Sequence, residues 1–391
     1  MLVLGVTQIL AWGALFYPPV LTVPLIAGER GWSITFAMGG FSLALLTAGL
    51  LSPRVGILID RYGGHRVMPV GSLLGAVGLV ALVHAEHPTA YIAVWILLGA
   101  AIAASLYDPA FSTLGRIFGA HARRPITALT LVGGFASTLS WPATHFLIGI
   151  GGWRGAYLSY AALLASVAAP LHAFALPRIR AQPTADMAKD MAKSAPAASA
   201  VPAPRDWPFI LVMAAFAAYA FVPSGLSAHL LAIFRRAGID AATVVAVGAL
   251  FGPAQVCARL FELAFARRAQ SLTVARCAVA TLLAGFALLS LWKLSAVAAG
   301  VFMVMFGAAN GLMTIARGAV PLALFGPAGY GHIIGRIGGA GLIMQAIAPL
   351  ALAFVAEHAS DRAALAAVAG FALVSFLALL SVRQADNKQP A

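Results

Sequence analysis

Residues 56 to 66 read Gly56-Ile57-Leu58-Ile59-Asp60-Arg61-Tyr62-Gly63-Gly64-His65-Arg66, a short polar turn set between two apolar stretches. Each flank holds about twenty apolar residues, the length that crosses a hydrocarbon core. The turn itself concentrates one acid and three basic groups, Asp60, Arg61, His65 and Arg66. Gly56 allows close approach of a neighbouring helix, and Gly63 allows a tight turn. The stretch therefore predicts two membrane helices joined by a polar hairpin at one membrane face.

The rest of the chain agrees with that reading. Of its 391 residues, 61% are hydrophobic and only 9% charged, with a mean hydropathy of +0.93. Water-soluble globular chains carry about a quarter charged residues, so an integral membrane protein is expected. Met1 runs straight into apolar sequence without a basic leader, and the first helix is expected to stay. The net charge of +13 does not point to nucleic acid, because the basic residues are spread over loops without a patch of interleaved aromatics. Cys257 and Cys277 both fall in apolar segments and are expected to be free, buried thiols. There is no His-Glu-x-x-His helix, no phosphate-cradling loop ending in Gly-Lys-Ser/Thr and no nucleophile elbow. An enzyme is not expected, nor direct coupling to ATP, nor a cofactor. His84, Glu86 and His87 cluster in a loop, but without further ligands at metal spacing they read as solvated.

Apolar runs set against polar interruptions predict about twelve spans, near 2–28, 33–59, 67–84, 89–118, 125–150, 153–177, 207–233, 241–266, 271–291, 295–321, 332–356 and 362–382. With both termini in the cytoplasm, Arg61, Arg66, Arg116, Arg123, Arg124, Arg267, Arg268, Arg383 and Lys388 fall inside. Arg30, Arg154, Lys293 and Arg362 fall outside, together with Arg235 and Arg236, which oppose the trend. The bias supports that topology in an inner, or plasma, membrane. Residues 178–206 are rich in Ala, Pro, Lys and Asp and read as a flexible cytoplasmic linker. The expected organisation is a six-helix bundle over 1–177, the linker 178–206, a second six-helix bundle over 207–382 and a tail 383–391. A shift of 207 residues lays Phe118-Gly119 on Phe325-Gly326, Ile126 on Ile333, Gly134 on Gly341 and Pro142 on Pro349. The two bundles therefore read as an internal repeat, an all-α membrane fold with pseudo-symmetric halves.

Ionisable groups within the spans need a partner, a water-filled cavity or a function, since each costs about 2.5 to 3.5 kcal/mol at the bilayer centre. Asp108 lies about ten residues inside Phe118, roughly 15 Å deep at 1.5 Å per residue. Arg259 lies roughly 12 Å from Arg267 by the same measure. One reading makes Arg259 an attractor for an anionic substrate, with Asp108 titrating with a coupling proton or pairing with Arg259 in the empty site. The other makes Asp108 part of a kink with Pro109 and pairs Arg259 with Glu262 one turn away. Arg336 lies among close-packing glycines with equal claims on function and structure. Arg317 is expected to snorkel into headgroups. Tyr107, Gln8, His229, Gln255 and Asn310 are candidate ligand donors, as is Tyr219. Trp141 and His145 are candidate path-lining groups.

The Gly56 to Arg66 turn resembles the loop between helices 2 and 3 of the major facilitator superfamily, Gly-x-x-x-Asp-Arg-x-Gly-x-x-Arg, matched here by Gly56, Asp60, Arg61, Gly63 and Arg66. The resemblance covers the whole chain and implies secondary transport by alternating access, with Gln8, Tyr107, Asp108, His229 and Asn310 on helices that line a central cavity. It also makes Asp60 and Arg61 gating residues, with the loop glycines and Arg66, that stabilise an outward-open state. Glu29-Arg30-Gly31-Trp32-Ser33, with the run from Ser52-Pro53 to Asp60-Arg61, resembles the monocarboxylate and oxalate-formate branch. In that branch basic residues on helices 8 and 11 bind carboxylate, and Arg259 and Arg336 occupy those helices here. Trp95 precedes Gly99 where many proton-coupled members carry Arg. The expectation is a monomeric carrier of a small organic anion, by proton symport or anion exchange. The alternatives are a proton-driven exporter of drugs or metalloid species and a non-transporting membrane receptor or scaffold.

Overall fold

The computed structural model describes residues 1–178, 206–265, 269–291 and 295–382. Most of the expected linker, the tail 383–391, Arg267, Arg268 and Lys293 lie outside the described residues. Among the described residues every regular element is helical. Ten apolar stretches are long enough to cross a bilayer, one of which, Pro88–Ala175, is 88 residues long. That is several times what one crossing needs. Gly119 (φ 54°) and Gly152 (φ 64°) turn the chain within it, so it makes three crossings and the described chain makes twelve.

In chain order these are α1 (Leu2–Leu15 and Pro19–Arg30), α2 (Ile34–Tyr62), α3 (Gly64–His84), α4 (Pro88–Ser105 and Tyr107–Phe118), α5 (Arg123–Gly133 and the start of Phe135–Leu163), α6 (the remainder of that helix, a π turn at Leu164–Ala168, and Ala169–Ala175), α7 (Trp207–Arg236), α8 (Ala241–Ala249 and Phe251–Phe265), α9 (Ser271–Leu291), α10 (Ala296–Phe325), α11 (Tyr330–His358) and α12 (Asp361–Ser381). The breaks have local causes. Pro18 and Pro19 interrupt α1 after Phe16, and Pro19 begins the second segment where its missing N–H costs nothing. In α4 the break falls at Leu106, three residues before Pro109. Exposed Leu73, Val77 and Val80 on α3, and Leu373, Val374 and Leu377 on α12, are the apolar outer faces of such a bundle. Cys257 and Cys277 are free but exposed on helix surfaces, not buried as expected. Each lies on a face its helix leaves uncovered.

The offset of 207 residues reaches further in the structure than in the sequence. Gly31 (φ 66°) and Gly238 (φ 93°) are equivalent by it, as are Gly119 (φ 54°) and Gly326 (φ 74°). Ser33 caps α2 by accepting from the Phe36 N–H at 3.1 Å, and its equivalent Asp240 caps α8 from Thr243 at 2.9 Å. Positive-φ turns thus recur on matched glycines, and helix caps recur at matched positions although the capping residues differ.

The halves meet most closely where α2 crosses α11. A methyl group on Gly49, Gly56, Gly331, Gly335 or Gly339 would run into the facing backbone or the Asp60 carboxylate, so the two helices pack backbone to backbone. One core lies in the second half around Phe209, Phe216, Val279 and Phe302, one centres on the first half around Trp95, Tyr91, Leu79 and Tyr157, and a third, around Phe111, Ile126, Tyr330 and Ile334, draws on both halves.

Candidate functional site

Pro109 organises the first half of the site. It has no N–H to give the carbonyl of Ser105, four residues earlier, so that oxygen needs another donor. Gln8 of α1 supplies it, with Nε2 2.7 Å from the Ser105 oxygen. Its Oε1 in turn accepts from the Trp12 indole at 3.2 Å. The chain restarts as a helix at Tyr107, placing Asp108 in a first turn where a carboxylate is favoured. Tyr107 stacks on Phe111 at 5.3 Å between ring centroids and packs against Trp12 at 5.0 Å. Gln8 is thus a support for the broken helix.

Asp108 is only 7% exposed. Its partner is Arg317 of α10, whose Nη2 donates to Oδ1 across the boundary between the halves. Gly338 of α11 lies against the carboxylate where a Cβ would collide with it. This corrects two expectations. Asp108 does not pair with Arg259, and Arg317 does not snorkel. Helix α10 runs to Phe325, which sinks Arg317 about 12 Å below its end at 1.5 Å per residue. Beside the pair lies a cavity of about 20 Å³ bounded by Trp12, Leu106, Asp108, Arg317, Leu342 and Gln345. That volume suits a single water molecule.

Arg259 of α8 is 4% exposed and is not paired with Glu262. Its Nη1 donates to the Thr130 carbonyl of α5 at 3.0 Å, its Nη2 to Gln255 Oε1 at 3.0 Å and its Nε to the Gly311 carbonyl of α10 at 3.4 Å. Among the described residues no carboxylate forms an ion pair with it. Gly134, at the junction of the two α5 segments, leaves room for the guanidinium. Asn310 of α10 also donates to Gln255 Oε1, at 3.2 Å. Arg259, Gln255 and Asn310, three sequence candidates, therefore form one network.

Other candidates lie elsewhere. Arg336 places its guanidinium 4.4 Å from the ring centroid of Phe209, within its own half. His229 Nε2 is 3.1 Å from the Pro349 carbonyl. The Tyr219 hydroxyl is buried without a hydrogen-bond partner among the described residues. Trp141 and His145 are exposed on α5.

Cross-half contacts gather at the end that carries the Gly56–Arg66 turn. The Asp60 carboxylate accepts from the N–H groups of Gly331 and His332, each at 2.9 Å, at the start of α11. A carboxylate is well placed at such a helix N-terminus. Arg116 holds the Asp60 carbonyl from α4. Arg61 and Arg66 are exposed, and Arg61 lies over the Tyr62 ring. Arg123 of α5 pairs with buried Glu262 of α8 at 3.0 Å, and Thr127 reaches the same carboxylate at 3.5 Å. Asp60 with Gly56 therefore joins the halves, whereas Arg61 and Arg66 face outward. Sequence reasoning missed Arg317, Arg123 and the glycine seats of both buried charges.

The family described as Major Facilitator Superfamily matches residues 2–335. Human monocarboxylate transporter 1 is 33% identical over 126 residues, which is 31% of this chain and 24% of that protein. Mouse monocarboxylate transporter 11 is 37% identical over 121 residues, 30% of this chain and 26% of that one. The chain thus spans about a quarter of the length of these curated relatives. The human organic anion transporter MFSD10 (TETRAN) superposes with a TM-score of 0.71 at 17% identity, covering 96% of this chain and 97% of that one. FucP in its outward conformation gives 0.74 at 11% identity, covering 98% of each chain. At these identities the superpositions speak for the fold alone, and with the twelve crossings, the paired halves and the family match over most of the chain, they establish that this multi-pass membrane protein belongs to the major facilitator superfamily.

Proposed function

We propose that the chain carries a small organic anion, a monocarboxylate by preference, across the membrane by alternating access. The observation that carries this reading is Arg259, a guanidinium 4% exposed and met, among the described residues, by neutral acceptors only. A buried cation of this kind is incompletely compensated and favours an arriving carboxylate, which arginine can grip through two parallel hydrogen bonds. Gln255 Oε1 stands where one carboxylate oxygen would bind, and on its displacement Asn310 becomes a second donor. The partial likeness to monocarboxylate transporters points to the same chemistry.

Asp108 and Arg317 form the coupling element of this proposal. A buried ion pair between two moving bodies must be broken or neutralised before they separate. A proton on Asp108, or a substrate anion beside Arg317, does this, which accommodates both symport and exchange. The moving bodies are residues 1–177 and 207–382, joined by 178–206. With the Gly56–Arg66 turn and both termini on the cytoplasmic side, contacts gathered at that end make this an outward-facing state, with Asp60 as its latch.

The test is a thermal-shift screen of organic acids on purified protein, repeated with Arg259→Gln and Arg259→Lys. Monocarboxylates are expected to raise the melting temperature of the native protein, weakly that of the lysine variant, and not that of the glutamine variant. A stabilising acid whose shift survives Arg259→Gln would remove Arg259 as the anchor.

A further inference from the structure

At the end opposite the Gly56–Arg66 turn, each half is closed by a two-pronged ion pair between its first and last helices. In the first half Glu29 at the end of α1 accepts from Arg154 of α6, at 2.7 Å from Nη1 and 2.6 Å from Nη2. In the second half Asp361 at the start of α12 accepts from Arg236 at the end of α7, at 2.8 Å from Nε and 2.7 Å from Nη2. The offset of 207 residues carries Glu29 onto Arg236 and Arg154 onto Asp361. The clasps therefore occupy equivalent positions in the repeat, but their polarity is reversed.

We infer that this reversal is a pairing code that keeps each half from assembling with the other half's equivalent helix. Two similar six-helix bundles in one chain can exchange equivalent helices, and such misassembly is the characteristic failure of repeated architectures. The exchange puts α7 in the place of α1 beside α6, or α12 in the place of α6 beside α1. The first exchange sets Arg236 against Arg154, and the second sets Asp361 against Glu29. Native pairs are thus opposite in sign and exchanged pairs alike. Had both clasps the same polarity, every exchanged pair would attract as well as a native one. Discrimination of this kind acts through repulsion in the wrong assembly, not through strength in the right one. The distinction matters because the side chains are 41% and 44% exposed in the first clasp and 53% and 30% in the second. Such pairs contribute little to stability, yet their signs still choose between assemblies during folding.

The experiment reverses the clasps one at a time and together in the full-length protein. The variants are E29R/R154E, R236D/D361R and the four-fold combination. The readout is the share of extracted protein that is monodisperse in mild detergent. Reversing either clasp alone keeps its native pair attractive but makes both exchanged pairs attractive too, so each double variant should lose roughly fivefold in monodisperse share. Reversing both restores like signs in the exchanged pairs and should return the share to the native level. Glu29 also accepts from the Trp153 indole at 2.8 Å, and this contact is lost equally in E29R/R154E and in the four-fold variant, so the comparison between them isolates the signs. Native yields from both double variants, or a four-fold variant no better than the doubles, would overturn the inference.

Discussion

Asp108 and Arg317 are joined by two facts legible at different levels. The depth of Asp108 follows from counting residues inward from Phe118, and its isolation in apolar sequence marks it as a charge that needs a partner. The partner did not follow, because the length of α10 beyond Arg317 depends on where the chain turns, and that turn is a left-handed Gly326 at φ 74°, not a polar cluster. Arg259 was legible as a buried cation for the same reason as Asp108. Its neighbours Thr130 and Gly311 contribute only backbone oxygens, which no residue type announces. Replacing Asp108 with Asn leaves Arg317 without its counter-charge in a largely buried position. Breaking such a pair from one side costs about 3 kcal/mol, and removing both charges costs less. Asp108→Asn is therefore expected to melt below Asp108→Asn/Arg317→Gln. In proteoliposomes the single variant should lose acid uptake driven by a pH gradient and keep exchange of labelled for unlabelled acid. An unchanged response to the gradient would take Asp108 out of the coupling step.

At the scale of elements, span positions were readable because a bilayer demands about twenty apolar residues whatever the packing. The interruptions within spans were not readable from hydropathy. The break in α4 needs Pro109 to strip a donor from Ser105 and Gln8 to replace it, a compensation between helices far apart in sequence. The α2–α11 crossing was half legible. Gly56 and the glycines around Arg336 suggested close packing, but only the fold sets one series against the other. The consequence is testable at Gly56, where a methyl group would meet the Gly331 carbonyl. Gly56→Ala should push α2 away from α11 and loosen the Asp60 latch. In a background with Cys257 and Cys277 changed to Ala, a cysteine introduced by Ser52→Cys is buried in the native crossing, since Ser52 is 2% exposed. Its alkylation rate should rise several-fold when Gly56→Ala is added. An equal rate in both backgrounds would show that the crossing absorbs the methyl without opening.

For the molecule as a whole, the sequence repeat was faint because side chains on the two halves diverged while the backbone conformations that need special residues did not. Gly31 and Gly238, and Gly119 and Gly326, keep positive φ at matched positions, so the symmetry is carried by turns more than by cores. Symmetric halves joined at one end are what alternating access requires, and they make the motion predictable. Thr130 of α5 and Arg259 of α8 touch near the closed end. Because α5 and α8 run in opposite directions, Phe146 and Val245, 66% and 68% exposed, sit toward the other end of the same two helices. Spin labels at these two positions, in the cysteine-free background, should report a shorter distance when a stabilising acid is added, as the proposed rotation of the halves about the site between them requires. A second pair at exposed Tyr62 and Ala328, beside the Asp60 latch, should lengthen under the same conditions. Opposite signs at the two ends are the signature of rocking. Shortening at both ends would mean that the halves simply compact around the ligand, and alternating access about Arg259 would no longer describe this protein.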